Sequence, residues 1–378
     1  MTKHHLEWSI YNLNQNIYTM KLGIASLYGH ASYNNYHPGG VEIYYIIEMC
    51  KELGIEIHLL TRKHKDNSHL EFVRDYRSAD FDSYDAIFLQ LRKPQFFGGN
   101  PGRPRDVHFM ENMMTSLGEC SAKIYPLCND PKIDISNPVE VLKRFDLCQV
   151  PGLLEKWQDI IDNSTYLFPG KDLNRFFGRE VANQYKVDWF TYIFKHKLKS
   201  RLIEPTTPLF EFDKPIKNWD VCYFGYNRGG FREKQIVKYL PNNKSSLLIG
   251  VDSKKLDQVD FKEKMNQHKI YEHLDKCKVS LILGDAEHLD NVVTFRLYEI
   301  LASNSLAGIQ IEYDPKRELI QDPELRDLLY IESQDDVVKL AQAYSNRLIL
   351  KQKAELTRIF AEDKSLHQMK SLIYNEYK

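Results

Sequence analysis

Long hydrophobic runs, clustered cysteines and an excess of one charge are all missing from this sequence. No apolar run in its 378 residues approaches the roughly 18 residues that a membrane helix needs, and residues 1–19 contain no apolar secretory core. The six cysteines show no CxxC spacing, which argues against a zinc ribbon or a disulfide framework and favours a reducing compartment. With 51 Lys and Arg against 52 Asp and Glu, the near-zero net charge argues against a histone-like protein that coats DNA. We therefore expect a large cytoplasmic protein without a membrane segment.

Short apolar segments alternate with amphipathic segments in two successive series. This alternation predicts parallel sheets covered by helices. The predicted strands are 20–28, 55–60, 84–91 and 123–128 in the first series, and 220–224, 246–250, 279–283 and 306–311 in the second. The predicted helices are 41–53, 231–240, 270–276 and 294–303, followed by a helical tail over 337–378.

A Pro-containing stretch at 204–217 separates the two series and indicates two Rossmann-like domains. We expect an N-terminal extension over 1–19, a first domain over 20–205 and a second domain over 206–355. A C-terminal helix over 356–378 is expected to pack back on the first domain. Ligands of open α/β sheets bind beyond the carboxyl ends of the strands, so the segments that follow each strand are the candidate sites.

In the first domain, three such segments contain candidate residues. A Gly-rich loop at 29–40 leads into the helix that contains Glu42. Residues 91–105 contain four cations and no acid, together with Phe96 and Phe97, a composition that suits phosphate and base contacts but also a solvated loop. The cations are Arg92, Lys93, Arg103 and Arg105. Asp130 follows the strand 123–128 and is placed either as a general base or as an ordinary turn residue before Pro131.

In the second domain, the turn from Gly225 into the next helix contains Arg228 and Arg232. Two arginines four residues apart beside a helix N-terminus suit the binding of a phosphate or diphosphate. The turn is not a Walker loop, because it lacks the Gly-Lys-Ser/Thr ending. Further along, Arg296 and Glu299 are three residues apart and share a helical face. That pair suits a nucleoside diphosphate, with an ordinary intrahelical salt bridge as the alternative.

Three segments together resemble the DNA β-glucosyltransferases of T-even bacteriophages, which have the two-domain GT-B fold. Phe96-Phe-Gly-Gly-Asn-Pro101 is similar to their Phe-Phe-Gly-Gly-Lys-Pro loop, and 219–233 and 281–303 are similar to their donor-binding segments. The resemblance implies an α/β chain of two Rossmann-like domains with a deep interdomain cleft and a helical tail. Position by position, it implies a catalytic base at Asp130 and a sugar-binding carboxylate at Glu42. The implied UDP-binding residues are Gly225, Arg228, Arg232, Met265, Arg296 and Glu299.

The activity implied by this resemblance is an inverting transfer of a sugar from a UDP-sugar to 5-hydroxymethylcytosine in double-stranded DNA, and glucose is the sugar expected. The target base leaves the stack, and the loop with Phe96 and Phe97 contacts the DNA. No obligatory cofactor and no metal-ligating residue is implied, although Mg²⁺ or Mn²⁺ is allowed to assist UDP release. The resemblance also implies a monomer that acts in the cytoplasm of an infected bacterium.

Departures from the family pattern leave alternatives open. Phe224 and Tyr226 flank Gly225 where the family has small residues, so a pentose donor such as UDP-arabinose stays open. A non-DNA acceptor and an inactive binding module are further alternatives. Two more basic clusters are expected on a DNA-contacting face of the first domain, namely 194–201 and the group Arg62, Lys63 and Lys65.

Overall fold

The computed structural model describes thirteen segments of the chain. They are residues 20–26, 38–61, 71–91, 116–117, 119–128, 166–167, 186–187, 189–202, 216–225, 230–250, 256–265, 267–284 and 294–375. The chain divides into two compact units: unit 1 comprises residues 1–167, 183–187 and 366–378, and unit 2 comprises residues 168–182 and 188–365. In the described segments, no helix has the length and apolarity required to span a membrane.

Unit 1 is built on a five-stranded sheet in which every neighbouring pair is parallel. Its strands are β1 Lys21–Ala25, β2 Glu56–Thr61, β3 Val73–Asp75, β4 Ala86–Leu91 and β5 Lys123–Cys128. They lie in the order β3-β2-β1-β4-β5. Helix α1, Pro38–Glu52, connects β1 to β2. A short parallel pair, β6 Tyr166–Leu167 and β7 Lys186–Val187, belongs to the same unit.

Unit 2 is built on a six-stranded sheet, again parallel throughout. Its strands are β8 Trp219–Phe224, β9 Ser246–Ile249, β10 Asp260–Lys262, β11 Cys277–Ile282, β12 Leu306–Gln310 and β13 Tyr330–Ile331. Their order is β10-β9-β8-β11-β12-β13. β9 and β12 are buried along their whole length, as expected of strands covered on both faces.

Eight helices of the described chain follow α1. They are α2 Trp189–Lys197, α3 Phe231–Tyr239, α4 Gln267–Leu274, α5 Phe295–Leu301, α6 Pro323–Leu329, α7 Gln334–Gln342, α8 Asn346–Ala361 and α9 Ser365–Asn375. Helix α7 begins with a capping box between Ser333 and Asp336 and packs on β8, β11 and β12. Helix α2 packs against α5 and α8 within unit 2. The amphipathic helices α4 and α5 both contact β11, so they cover the middle of the sheet.

The predicted α/β class with two parallel sheets is confirmed, and β5 spans the predicted residues. The predicted helical tail is three separate helices, α7, α8 and α9. The described residues 189–202 belong to unit 2, whereas the sequence predicts that the second domain begins at residue 206. The reason is that α2 packs on helices of unit 2, and those helices lie far along the chain.

Candidate functional site

The carboxyl edge of the unit 2 sheet is formed by several residues predicted to bind a nucleotide. Gly225 directly follows β8, and Gly250 directly follows β9. Met265 lies in the link from β10 to α4, which carries the chain from the outer strand of the sheet to β11. Arg296 lies in the first turn of α5, which follows β11. Because the strands are parallel, all these positions belong to the edge at which open α/β sheets bind ligands.

Two glycines allow the backbone to turn tightly at this edge. Gly225 has a φ of +144° and Gly250 a φ of +107°, values that favour glycine. The Gly225 N–H donates to the Ile249 carbonyl at 3.1 Å. A Cβ at Gly250 would lie 2.7 Å from the Gly225 carbonyl oxygen, and a Cβ at Gly225 would collide with the Arg296 guanidinium. Glycine at position 225 therefore lets the backbone lie directly against Arg296.

The Arg296 side chain is held by two aromatic rings at the end of β8. Its Cζ atom lies 5.1 Å from the ring centre of Tyr223 and 5.2 Å from that of Phe224. Its Nη1 donates to the Leu283 carbonyl at 3.1 Å, and its buried Nε has no hydrogen-bond partner among the described residues. No carboxylate in the described part of the chain pairs with this guanidinium. Within the described part of the chain, Arg296 is therefore an oriented cation without a counter-ion, which suits an anionic ligand.

Arg232 adds a second cation beside the same tyrosine. It lies in the first turn of α3 and is buried, and its Nη1 donates to the Tyr223 hydroxyl at 2.8 Å. Tyr223 thus contacts one arginine through its hydroxyl and the other through its ring. The N-terminus of α3 contributes the positive end of its dipole to the same turn. Arg228, the third predicted diphosphate-binding arginine, lies outside the described residues.

A buried tyrosine fixes the start of α5. The Thr294 N–H donates to the Tyr313 hydroxyl, which in turn donates to Thr294 Oγ1 at 3.2 Å. Burial raises the pKa of Tyr313 to about 12, so the phenol stays protonated at neutral pH. Because Arg296 lies two residues after Thr294, Tyr313 helps to position it. Tyr313 is not among the residues predicted from the sequence, since a single tyrosine after a strand has no distinctive spacing.

A chain of glutamine side chains supports the same edge. The Gln310 amide nitrogen at the end of β12 donates to the Gln235 side-chain oxygen of α3 at 3.1 Å. The Gln310 side-chain oxygen accepts from the Gly284 N–H, also at 3.1 Å. Gln310 is fully buried, so these bonds satisfy polar groups that would otherwise be costly to bury. Through Gln310, these hydrogen bonds connect the residues that follow β11 to α3. They were not predicted from the sequence.

Glu299 lies one turn beyond Arg296 on α5 and is almost completely buried. The Tyr271 hydroxyl of α4 donates to Glu299 Oε1 at 3.1 Å, and Lys197 Nζ of α2 lies 3.7 Å from the same oxygen. Burial lowers the pKa of Lys197, and the Glu299 carboxylate opposes that shift. Among the described residues, Arg296 forms no ion pair with Glu299: its guanidinium donates to the Leu283 carbonyl, and the Glu299 carboxylate lies beside Lys197.

Most of the predicted site residues of unit 1 lie outside the residues that the structure describes. These are Asp130 and the whole predicted DNA-contacting loop, Arg92, Lys93, Phe96, Phe97, Arg103 and Arg105. Glu42 lies on the described backbone of α1, but its side chain is not described. The cluster Arg62, Lys63 and Lys65 is likewise outside the described residues.

The basic run 194–201 is expected from the sequence on a DNA-contacting face of the first domain, but the structure groups it with unit 2. Three of its cations have carboxylate neighbours within unit 2. Lys195 lies 3.7 Å from Asp363, Lys197 lies 3.7 Å from Glu299, and Arg201 binds Asp275 through bonds of 2.7 and 2.9 Å. These contacts neutralise much of the run's charge and place it in unit 2.

Sequence comparison finds a curated relative with a known activity. The chain is 21% identical over 296 residues to the DNA β-glucosyltransferase of Enterobacteria phage T4, a match that covers 74% of this chain and 78% of the relative. No protein-family model matches the chain. The chain resembles the phage DNA glucosyltransferases. That resemblance, indicated by the motifs at 96–101, 219–233 and 281–303, is confirmed.

Solved structures of the phage DNA glucosyltransferases share the fold. The phage T4 β-glucosyltransferase with its UDP-glucose substrate has a TM-score of 0.65 at 17% identity, and the same enzyme with UDP and Mn²⁺ has a TM-score of 0.66 at 19% identity. Both matches cover 93% of this chain and 99% of the other. An α-glucosyltransferase in complex with UDP and a 13-mer DNA containing a HMU base has a TM-score of 0.55 at 12% identity, covering 95% and 100%. The fold is therefore of the GT-B type, as expected.

The described part of the chain contains no cluster of protein ligands for a divalent ion such as the Mn²⁺ bound with UDP to the phage T4 β-glucosyltransferase. Among those residues, no three His, Cys, Asp or Glu side chains lie close enough together to hold a metal ion.

Proposed function

We propose that this protein is a DNA glycosyltransferase that uses a UDP-sugar. In this proposal it transfers glucose from UDP-glucose to the hydroxymethyl group of 5-hydroxymethylcytosine in double-stranded phage DNA, as a monomer in the cytoplasm of the infected host. The observation that carries the proposal is the oriented Arg296 guanidinium, which lies against Gly225 at the carboxyl edge of the unit 2 sheet and has no counter-ion among the described residues. The resemblance to glucosyltransferases solved with UDP-glucose and with DNA supports it.

The donor half of the reaction follows from the charges at this edge. Arg296 and Arg232, joined by Arg228, bind the diphosphate of the UDP-sugar. The Gly225 backbone approaches the nucleotide, and backbone groups near Met265 bind the uracil. As the bond to the sugar breaks, negative charge builds on the leaving diphosphate, and preorganised arginines stabilise it. Losing one such donor typically lowers the rate on the order of 100-fold or more.

The acceptor half of the reaction is assigned to unit 1. Asp130, two residues beyond β5, accepts the proton of the hydroxymethyl group as its oxygen attacks the anomeric carbon, and attack opposite the leaving diphosphate inverts the linkage. Glu42 binds the sugar. The base must leave the helical stack, which costs a few kcal/mol. Phe96 and Phe97 fill the gap, and the cations of the same loop contact the DNA phosphates.

A pentose donor such as UDP-arabinose is the second candidate, and Phe224 is the observation that favours it. This aromatic residue stands where the family has glycine, and its ring lies 5.2 Å from the Arg296 Cζ atom. A large ring beside the diphosphate arginine leaves less space next to the donor sugar. A shorter sugar would be accommodated more easily there.

Mass spectrometry of nucleosides tests the proposal. Duplex DNA containing 5-hydroxymethylcytosine is incubated with the protein and, separately, UDP-glucose, UDP-arabinose and other UDP-sugars, then digested. We expect a nucleoside heavier by one hexose with UDP-glucose, while a pentose increment would favour the second candidate. Matched duplex DNA with unmodified cytosine is the control and should give no adduct. Binding of UDP without an adduct from any donor would overturn the DNA acceptor.

A further inference from the structure

A cluster of three side chains from three helices surrounds the Glu299 carboxylate. Lys197 comes from the last turn of α2, Tyr271 from α4 and Glu299 from α5. Both the Tyr271 hydroxyl, at 3.1 Å, and Lys197 Nζ, at 3.7 Å, approach the same oxygen, Oε1. The side chain of Lys197 is 15% exposed and that of Glu299 is 5% exposed, so the pair is largely shielded from water. The carboxylate is thereby held in one orientation.

Stability alone gives a weak reason for this arrangement. Burying two charges costs free energy that their mutual attraction often only balances, and apolar residues of similar size frequently serve a fold equally well. Burial here does penalise the charged lysine, since it lowers the pKa of Lys197. The aromatic contact between Lys197 and the Phe194 ring, at 5.2 Å, stabilises the ammonium group further. The cluster thus holds the Glu299 carboxylate in a fixed orientation in a region with little water.

The position of this carboxylate relative to Arg296 indicates what it can bind. The two residues are three apart on α5, so their side chains share a face and lie roughly 4.5 Å apart along the helix axis. A hydroxyl-bearing ribose lies next to the diphosphate in any nucleoside diphosphate. An ionised carboxylate accepts hydrogen bonds only, which matches the hydroxyl donors of a ribose.

We propose that Lys197 is a positioning residue for the nucleotide: together with Tyr271, it fixes the Glu299 carboxylate so that it accepts hydrogen bonds from the ribose hydroxyls. This inference rests on the proposed function, because it assumes that UDP occupies the carboxyl edge of unit 2. It adds a determinant of specificity. A site built to accept bonds from a hydroxyl strongly rejects an analogue that lacks it, so the cluster selects ribonucleotide donors over 2′-deoxyribonucleotides.

Calorimetric titration of the full chain with UDP and with 2′-deoxy-UDP tests this proposal. The wild type should bind UDP at least about 10-fold more tightly than 2′-deoxy-UDP. Lys197→Met should weaken UDP binding about 10-fold or more and leave 2′-deoxy-UDP binding within about 3-fold. Lys197→Arg, which keeps the charge, should restore most of the discrimination.

Lys195→Met is the matched control, because Lys195 lies on the same helix and pairs with Asp363 rather than Glu299. It should leave both affinities unchanged. Tyr271→Phe is a second variant that removes a donor without removing a charge, and it should also reduce discrimination. Unfolding by urea identifies any variant that fails to fold.

The outcomes separate this inference from the function on which it rests. If the wild type binds neither nucleotide, the proposed function itself fails. If the wild type binds UDP but Lys197→Met and Tyr271→Phe, both folded, weaken UDP and 2′-deoxy-UDP equally or not at all, the proposed role of Lys197 is overturned. Loss of UDP binding with little change for 2′-deoxy-UDP supports it.

Discussion

Arg296→Met removes a cation from the proposed UDP site while keeping a long side chain against Tyr223 and Phe224. The variant loses a charge-assisted hydrogen bond to the Leu283 carbonyl, worth about 1.5 kcal/mol, and two cation–π contacts of about 0.5–1 kcal/mol each. It also removes the buried Nε, which has no partner among the described residues, and so relieves a desolvation penalty of about 1–3 kcal/mol. These effects nearly cancel, so the free energy of unfolding should change by only about 1 kcal/mol.

The effect of Arg296→Met on UDP should be much larger. A charge-assisted hydrogen bond to a phosphate is worth about 1.5–3 kcal/mol, so the dissociation constant for UDP should rise about 10- to 150-fold. Calorimetric titration with UDP gives the affinity, and urea unfolding without nucleotide gives the stability. The prediction is a protein that is folded and nearly as stable as the wild type, but that binds UDP poorly.

Arg358→Met is the matched control for this prediction. Arg358 also has a buried Nε without a partner among the described residues, but it pairs with Glu355 and Glu362 on α8. Its replacement should lower the stability and leave UDP binding unchanged. The reasoning about Arg296 is refuted if Arg296→Met binds UDP like the wild type, or if it loses several kcal/mol of stability.

Three further predictions concern the turn at Gly225, the start of α5 and two buried lysines. Gly225→Ala should lower the free energy of unfolding by about 1–3 kcal/mol through backbone strain, and it should also weaken UDP binding. Gly54→Ala is the control: Gly54 has a φ of +72° and open space around it, so its replacement should affect stability only. Urea unfolding measures the stability of both variants, and calorimetry measures their UDP affinity. Tyr313→Phe should cost about 1 kcal/mol in urea unfolding and weaken UDP binding a few-fold, because the start of α5 loses its hydroxyl partner; unchanged values for both would contradict the positioning role. Burial lowers the pKa values of Lys217 and Lys353 to about 8, below the unfolded value of 10.5. Above pH 8 the unfolded chain therefore holds more protons on these two lysines than the folded chain does, so their contribution to the free energy of unfolding rises between pH 8 and pH 10. Urea unfolding of the wild type and of Lys353→Met across that range checks this: the wild type should gain stability relative to the variant as the pH rises, and a constant difference between the two would argue against it.

Regular strands and the glycine-arginine turn could be predicted from the sequence because their signals are local. The apolar run of β5 and the glycine that follows β8 are visible in a short window. The strands β3, β10 and β13 were missed because they have two or three residues each, too few to show a period. They form because a neighbouring strand offers backbone partners.

The surroundings of the site could not be predicted, because they depend on residues far apart in the chain. Lys197 belongs to a run that counts as basic in a local window, yet its carboxylate partner Glu299 lies on another helix. The contact between Tyr313 and Thr294, which fixes the start of α5, likewise requires β12 to bring the two together. Charge counts along a sequence predict an exposed basic face only when no distant acid folds against it.

The most direct test of the account compares glucosyl transfer by the wild type and by Asp130→Ala. Both proteins are incubated with UDP-glucose and duplex DNA containing 5-hydroxymethylcytosine, and the glucosylated nucleoside is measured over time. The account predicts that the wild type forms this product and that Asp130→Ala forms it about 10²- to 10⁴-fold more slowly while binding UDP equally well. An equal rate in the two proteins, or no product from a wild type that binds UDP, would contradict it.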